Sequence, residues 1–242
     1  MKYKEGVVHG FLVIRTLNDE TIAAGDLAQL ANGDRVTTHL VYHFKDGSLQ
    51  EETAVFSQRG SFRLISDHLI QKGPAFKRPT DLSINGSTGQ VSVRYTDDDG
   101  KEKVITDSLK LPPDLANGAV PTMLKNIPPG TPKTTLSMIV ATPKPRLVKL
   151  VISPEGEDTF SVAESARKAV RYDVKVDIGG AAGVVAPIVG KQPPDTHVWI
   201  LQGEAPAFVK SEGPAYEGGP IWRIELTSPV WPQKRAEVSP KN

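Results

Sequence analysis

The stretch Arg35-Val-Thr-Thr-His-Leu-Val-Tyr-His-Phe-Lys45 alternates two kinds of side chain along its whole length. Val36, Thr38, Leu40, Tyr42 and Phe44 fall on one face, and mostly polar residues fall on the other. A period of two with β-branched and aromatic residues is typical of a half-buried β-strand. An Asp-Gly pair follows at once, and such pairs tolerate the positive φ of a tight turn. The stretch therefore predicts an antiparallel strand that leads into a hairpin.

The same pattern repeats on both sides of this stretch, through the first hundred residues. Asn-Gly, Asp-Gly and Asn-Asp pairs separate the alternating segments. Sequential hairpins of this length favour a meander that curls into a barrel or half-barrel. We predict strands at 6–16, 20–30, 35–45, 48–58, 61–72, 80–86, 89–97 and 101–109.

Proline usage changes in the second half of the chain, where 18 of the 20 prolines lie after Leu111. Because proline cannot donate to a central ladder, we expect shorter or edge-like strands there. The one helix candidate lies near 112–126, with Asp114 as its N-cap and with Gly118 and Pro121 limiting it to short pieces. Further strands are predicted at 133–141, 146–153, 158–163, 167–178, 197–202, 205–211 and 220–228.

These patterns together predict a mainly β fold, an antiparallel β-barrel-like or half-barrel (β-roll) architecture with one short helical interruption. We expect one domain over 1–228 and a flexible C-terminal tail over 229–242. The proline-rich segment 128–145 could instead divide two domains. Strand-like patterning on both sides of it favours a crossover within one sheet system.

Composition excludes several classes of function. The chain has 29 Lys and Arg against 28 Asp and Glu, so its formal charge of +1 gives no broad footprint for nucleic acid. The absence of cysteine excludes disulfides, thiolate nucleophiles and Cys-based zinc sites. No apolar run reaches the length of a transmembrane helix. The N-terminus lacks the apolar core of a signal peptide, so either the protein is cytoplasmic or a leader is removed.

Motifs that would carry chemistry are missing or fail on spacing. His39 and His43 share a strand face but lie about 13 Å apart, too far to bind one metal ion. The acidic turn 96–101 lacks oxygen ligands at the first and twelfth positions of a calcium loop. Segment 183–192 lacks the glycine and hydroxyl spacing of a phosphate loop. We therefore predict no catalytic residue, no metal and no cofactor.

Asp195 and His197 leave one enzyme alternative open. They could share a strand face near Trp199, which would allow an acid–base site if the two side chains came within hydrogen-bond reach. A loop hydrogen bond leading into a strand explains the same pair more simply.

An apolar segment, residues 178–190, needs a separate explanation. It is rich in glycine, alanine and valine and is too short to span a bilayer. One interpretation is a buried loop packed under the sheet. The other is an apolar lip on an open barrel, since contiguous exposed apolar patches usually mark interaction sites.

Several short words of sequence resemble a family of uncharacterised bacterial proteins thought to be exported, whose fold is an open β-barrel like that of lipoprotein carriers. They are His43-Phe-Lys-Asp-Gly-Ser48, Leu111-Pro-Pro-Asp114, Gly190-Lys-Gln-Pro-Pro-Asp195 before His197-Val-Trp-Ile200, and Gly219-Pro-Ile-Trp-Arg-Ile-Glu-Leu226. The resemblance covers most of residues 6–228. It implies a periplasmic setting and a hydrophobic cavity, and no catalytic residues carry over from it.

The functional hypothesis is a non-enzymatic protein, periplasmic or extracellular, that binds an apolar small molecule or lipid in an open β-barrel. A cytoplasmic location stays open. The alternative is a structural or protein-interaction module whose barrel is filled by its own side chains. The ligand-binding candidates are Leu40, Tyr42, Phe44, Phe56 and Phe62 inside the barrel, with Val184, Val185, Ile188 and Val189 in a lid.

Overall fold

Fourteen strands and one helix make up the described part of the chain in a computed structural model. The structure describes residues 1–97, 99–128, 130–141, 144–162, 165–177 and 193–228. The first half contains β1 (Val8–Arg15), β2 (Thr21–Asn32), β3 (Arg35–Phe44), β4 (Leu49–Ser57), β5 (Arg63–Lys72), β6 (Thr80–Asn85), β7 (Gln90–Thr96) and β8 (Glu102–Ser108). After helix α1 (Val120–Leu124) come β9 (Thr134–Val140), β10 (Arg146–Val162), β11 (Ser165–Asp177), β12 (Thr196–Leu201), β13 (Ala207–Pro214) and β14 (Ile221–Thr227).

All these strands belong to one antiparallel sheet. Its order is β8-β7-β6-β5-β4-β3-β2-β1-β14-β13-β12-β11-β10-β9, so each half is a hairpin meander. The first and last strands pair at the centre, with Phe11 opposite Thr227 and Arg15 opposite Arg223. Edge strands β8 and β9 are therefore joined in sequence by residues 109–133, which we call the connecting segment.

The connecting segment packs inside the curled sheet and contacts strands near both of its edges. Leu115 packs in one cluster with Leu82 and Val93 from one half and with Ile139 of β9 from the other. Strands so far apart in the sheet order can share a cluster only if the sheet curls round. The observed architecture is therefore a mainly β, barrel-like antiparallel sheet with one short helix, as the sequence predicts.

The edge of β9 is paired by the connecting segment itself. The Ala116 N–H donates to the Ser137 carbonyl at 2.8 Å. The Asn117 side chain donates to the Ile139 carbonyl at 2.9 Å and accepts from its N–H at 2.8 Å. These bonds satisfy backbone groups that an edge strand would otherwise expose.

Three sequence predictions need correction. The second half does not have shorter or edge-like strands throughout, since β10 and β11, with 17 and 13 residues, are longer than any strand of the first half and lie inside the sheet. The strands expected at 146–153 and 158–163 are one strand, β10, which continues through a bulge between Pro154 and Gly156. Asp114 does not cap the helix, because its carboxylate accepts a hydrogen bond from the Ser137 hydroxyl at 2.8 Å. Helix α1 starts after Ala119 and has no side-chain cap. In the described ranges, no helix is long and apolar enough to cross a membrane.

Candidate functional site

The curled sheet has an inner face, which we define as the face that packs against the connecting segment. Alternation along β3 puts Val36, Leu40, Tyr42 and Phe44 on this face, as the sequence pattern predicts. Ala116, Ala119 and Met123 of the connecting segment pack there against Val36, Phe56 and Phe62. Leu124 packs against the other half, in a cluster with Leu150, Ile152, Tyr172, Val174, Val198 and Ile200.

One end of the interior is closed by an aromatic cluster, which consists of Phe44, Phe76, Tyr216 and Trp222. Ring centroids in this cluster lie 5.2 to 6.1 Å apart, in tilted or edge-on arrangements that aromatic pairs prefer. The Tyr216 hydroxyl donates to the Ala75 carbonyl at 3.1 Å. The loops after β5 and after β13 are thereby joined across this end.

A buried polar clamp ties the opposite end. The Glu5 carboxylate accepts from Gln29 at 3.0 Å and pairs with the Lys125 ammonium at 2.7 Å. The Glu5 backbone exchanges hydrogen bonds with the Gln58 amide, at 2.7 Å and 3.2 Å. We call this group the Glu5 clamp. It joins the N-terminal arm, β2, the end of β4 and the end of α1.

Between these ends runs a row of inner-face side chains that are only half-buried. Strand register places Leu27 opposite Leu40, Leu40 opposite Glu52, and Glu52 opposite Leu69. We call these four residues the inner row, and each keeps part of its surface accessible. Their strands are hydrogen-bonded on both sides, so the accessible surface belongs to side chains. These four side chains are therefore less completely buried than Tyr42 and Asp67 on the same face.

The opposite wall is also incompletely buried. Phe208 of β13 packs against the cluster at the aromatic end and against the Leu124 cluster. Ile224 of β14 packs beside Leu12 and Ile14, and both Phe208 and Ile224 stay half-buried. Apolar side chains thus line this level of the interior from both halves of the sheet.

Two carboxyl groups meet at the inner row. Asp67 of β5 lies opposite Ala54, one inward-facing position along the strand from Leu69. A Cβ placed on Gly118 of the connecting segment would lie 3.1 Å from Asp67 Oδ1 and 3.5 Å from Glu52 Oε1, and it would overlap the Ala54 methyl. Gly118 has φ of +63°, so only glycine fits this close approach without strain. The backbone of the connecting segment therefore sits directly over the carboxyl pair.

Burial shifts the protonation of these groups. Burial, with a further contribution from the charge of Glu52, raises the pKa of Asp67 from 3.8 to about 8. Burial also raises the pKa of Glu52 from 4.5 to about 7, although part of the side chain remains accessible from the interior. Burial and the nearby Glu52 charge raise the pKa of the Tyr42 hydroxyl. Near neutral pH the pair therefore holds at least part of a proton.

Asp67 is only 2% exposed and has no well-formed hydrogen bond on either carboxylate oxygen, and the nearby His68 backbone N–H lowers its pKa against the larger effect of burial. A buried polar group without a partner is expensive, and most such groups in folded proteins are hydrogen-bonded. Chemically, the pair can accept hydrogen bonds from a cationic or neutral donor, or hold a proton. Within the described ranges, no group of three or more His, Asp or Glu side chains is placed to hold a metal ion.

The alternative acid–base residues have other partners. The Asp195 carboxylate pairs with the Lys175 ammonium at 3.0 Å. His197 Nδ1 lies 3.6 Å from Glu155 Oε2 and 3.7 Å from Asp173 Oδ1. Two shallow depressions over β4 to β8 are lined mainly by polar residues, among them Ser83, Asn85, Gln90, Ser92 and Thr106.

The structure divides the predicted ligand-binding residues between two clusters. Tyr42 and Phe44 are buried in one cluster with Leu40 packed against it, whereas Phe56 and Phe62 pack against the connecting segment. The predicted lid residues Val184, Val185, Ile188 and Val189 lie outside the described residues. Sequence reasoning missed Leu27, Glu52, Asp67 and Leu69 as interior neighbours. Alternation along one strand predicts which face of the sheet each residue lies on. Which residues become neighbours across strands depends on the register between those strands.

Comparison with known proteins finds a solved structure with a similar fold. The fold is similar to the crystal structure of a β-barrel-like protein of the domain of unknown function DUF1849 from Brucella abortus, with a TM-score of 0.48 and 9% sequence identity. The match covers 92% of this chain and 96% of that chain. No protein-family model matches the sequence. No curated protein matches it either.

Proposed function

We propose that this chain is a non-enzymatic, extracytoplasmic binding protein that holds an apolar, lipid-like molecule inside its curled sheet. The observation that carries the proposal is the inner row, where Leu27, Leu40 and Leu69 stay half-buried between two closed ends. Side chains that form a finished core are normally close-packed, with few voids larger than a water molecule. Accessible leucines in the interior therefore suggest space for an apolar guest.

Burial of apolar surface would supply the affinity. Covering the accessible parts of these leucines, together with Phe208 and Ile224, gains about 25 cal/mol for each Å² removed from water. The antiparallel strands around them are paired on both sides, so the walls are rigid and largely preformed. Small-molecule sites generally have this character, being mostly apolar and already formed.

A second candidate is a structural or protein-interaction module whose interior is occupied by its own chain. The connecting segment supports this reading, because Asn117 is bonded to β9 and Lys125 to the Glu5 clamp. Those bonds hold the connecting segment inside the sheet. Under this reading the inner row is ordinary core, and no apolar molecule binds.

Substitutions that place a larger side chain in the interior distinguish between the two candidate functions. Replacing Leu40 or Leu69 by Phe should cost little stability if space is present, whereas overpacking a finished core costs about 1–3 kcal/mol. The same variants should weaken binding of the neutral probe N-phenyl-1-naphthylamine at least about tenfold, as the loss of about 1.4 kcal/mol would. Probe fluorescence measures binding, and urea unfolding measures stability.

Leu30→Phe is the matched control, because Leu30 lies on the same sheet, faces outward and is 63% exposed. It should change neither quantity. If wild-type protein binds no probe, and the Leu40→Phe and Leu69→Phe variants are both strongly destabilised, the filled-module reading replaces the proposal.

A further inference from the structure

We infer that the guest is an unbranched acyl chain, and that it lies along the inner face where β1 pairs with β14, beside Gly10 and Leu226. We call this strand pair the seam. The inference rests on the proposed function and names both the class of ligand and its place. The inward-facing residues of the two seam strands are all apolar. They are Val8, Gly10, Leu12 and Ile14 on β1, and Trp222, Ile224 and Leu226 on β14.

Burial of these side chains decreases from the aromatic end towards the Glu5 clamp. On β1 the exposed fraction is 1% at Ile14, 3% at Leu12 and 43% at Val8. On β14 it rises from 6% at Trp222 to 46% at Leu226. Two adjacent strands thus lose their cover at the same end, although the side chains still point inward. The inner face is therefore open to solvent at that end of the seam.

The Glu5 clamp closes this end over the first meander only. Val8 lies opposite Gln29, whose amide donates to the Glu5 carboxylate. Gln58 continues the clamp at the end of β4. Both glutamines lie on the side of β1 that faces away from β14. The opening beside Leu226 is therefore next to the clamp and is not covered by it.

Gly10 leaves the open end of the seam without a side chain between two leucines. Leu27 lies directly opposite on β2, and a Cβ on Gly10 would lie 3.4 Å from Leu226 Cδ2. Gly10 does not have a positive φ, so its backbone conformation does not require glycine. A glycine inside a strand often marks a site where a ligand approaches the backbone closely. We call the space bounded by Val8, Gly10, Leu27 and Leu226 the seam slot.

The dimensions of the seam slot match one alkyl chain. Leu27 and Leu226 lie on the strands on either side of β1, so their backbones are about 10 Å apart, which leaves room for one chain between the side chains. From Val8 to Leu12, four residues of extended strand give a depth of about 13 Å, comparable with an alkyl chain of about ten carbons. Leu27 lies opposite Leu40, so the seam slot is continuous with the inner row. A polar head group would stay in solvent beside Val8.

Gly10→Val tests the inference by filling the seam slot. Valine favours strands more than glycine does, and the nearest neighbour of its Cβ is the half-exposed Leu226 side chain, so the urea midpoint of unfolding should not fall. Affinity for cis-parinaric acid, a fluorescent unbranched fatty acid, should fall at least about tenfold because the valine occupies the path of the chain. Ala24→Val is the matched control, because Ala24 is exposed on the outer face of β2. It should leave the affinity unchanged.

A single introduced thiol locates the bound chain without filling the seam slot. The protein has no cysteine, so the reaction of one new thiol can be followed alone. In Leu226→Cys, dodecanoate at ten times the Kd of that variant should slow alkylation by N-ethylmaleimide about tenfold, because a covered thiol cannot react. Leu30→Cys is the control, because Leu30 faces outward and is 63% exposed. Its alkylation rate should not change.

The outcomes separate this inference from the proposed function. Loss of affinity in Gly10→Val together with protection of the thiol at position 226 would support the seam slot. Wild-type protein that binds N-phenyl-1-naphthylamine but not cis-parinaric acid would overturn the acyl-chain inference and leave the proposed function standing. Fatty-acid binding without protection at position 226 would overturn the placement in the same way, even if Gly10→Val fails to fold. Binding of neither probe would overturn both.

Discussion

Glu5 and Asp67 are two buried carboxylates of this chain with contrasting surroundings. Glu5 has an amide and an ammonium as donors, whereas Asp67 has no well-formed hydrogen bond and a second carboxyl beside it. The donors around Glu5 compensate for the hydration that its carboxylate loses on burial, whereas the surroundings of Asp67 do not. At the scale of single residues, the protonation of Asp67 should therefore affect the stability of the folded state.

Stability should depend on pH through the carboxyl pair. Folding raises the pKa of Glu52 from 4.5 to about 7 and that of Asp67 from 3.8 to about 8. The folded state therefore binds more protons than the unfolded state between these values. Stability from the pair is complete below about pH 4 and is lost as pH rises through 7 and 8, by at most about 1.4 kcal/mol per pH unit for each proton released.

Urea unfolding of wild type and Asp67→Asn at pH 5 and pH 8.5 measures this dependence. The wild-type free energy of unfolding should fall over this range, and the variant should fall clearly less because it retains only one of the two carboxyls. Identical pH dependence in the two proteins would contradict the assignment of the raised pKa values to this pair.

Sequence alternation predicted correctly which residues of β3 face inward, because that property depends only on neighbours along the chain. By the same alternation, the adjacent residues Glu51 and Glu52 of β4 lie on opposite faces. The pairing of Glu52 with Asp67 could not be predicted in this way. It depends on the register between β4 and β5, and that register shifts at a bulge between Val55 and Phe56.

At the scale of elements, the connecting segment is where sequence prediction was least complete. Its proline and glycine content correctly limited the helix, which extends only over Val120–Leu124. Neither its packing inside the curled sheet nor its hydrogen bonds to β9 were predicted. Both depend on contacts with distant strands, and nothing in the local pattern of the connecting segment encodes them.

Glu5→Gln should loosen the connecting segment selectively. Breaking a buried ion pair leaves the Lys125 ammonium uncompensated, and this typically costs about 3–5 kcal/mol. Amide hydrogen exchange measured by mass spectrometry should become faster over residues 120–126 than over β3. Lys4→Gln is the control, because the Lys4 side chain is 66% exposed and its pair with Asp34 should contribute less than about 1 kcal/mol. Equal protection of 120–126 in Glu5→Gln and wild type would show that the clamp does not hold α1.

At the scale of the whole molecule, the two meanders are joined where β1 meets β14. The individual strands of the first meander were predicted to within two residues, since each has its own alternation and turn signals. The closing pair was not predicted, because it brings together residues more than 200 positions apart, such as Phe11 and Thr227. The series of hairpins correctly predicted a barrel-like sheet. The order of the strands within that sheet could be determined only from the structure.

Trp222→Ala should destabilise the whole sheet rather than one half. Trp222 is 6% exposed and packs in the aromatic cluster against Phe44 and Phe76 from the other meander. Truncating a buried aromatic side chain costs about 3–5 kcal/mol. Unfolding by urea, followed by far-UV and near-UV circular dichroism, should show one coincident transition that moves to lower urea.

Leu226→Ala serves as the control on the same strand, because Leu226 is 46% exposed and should cost less than about 1 kcal/mol. Two separate transitions in wild-type protein would show that the meanders unfold independently.

The hydrogen bonds from Asn117 to β9 bear on self-association. A sheet this wide has two borders at which another chain could add a strand, and growth at such borders leads to fibres. The amide of Asn117 occupies one border from within the same molecule. The other border belongs to β8, where Glu102, Lys103 and Asp107 place charge along a short strand. Addition of a strand from another chain is thus opposed at both edges of the sheet. At β9 the hydrogen bonds from Asn117 occupy the edge, and at β8 the charged side chains disfavour pairing.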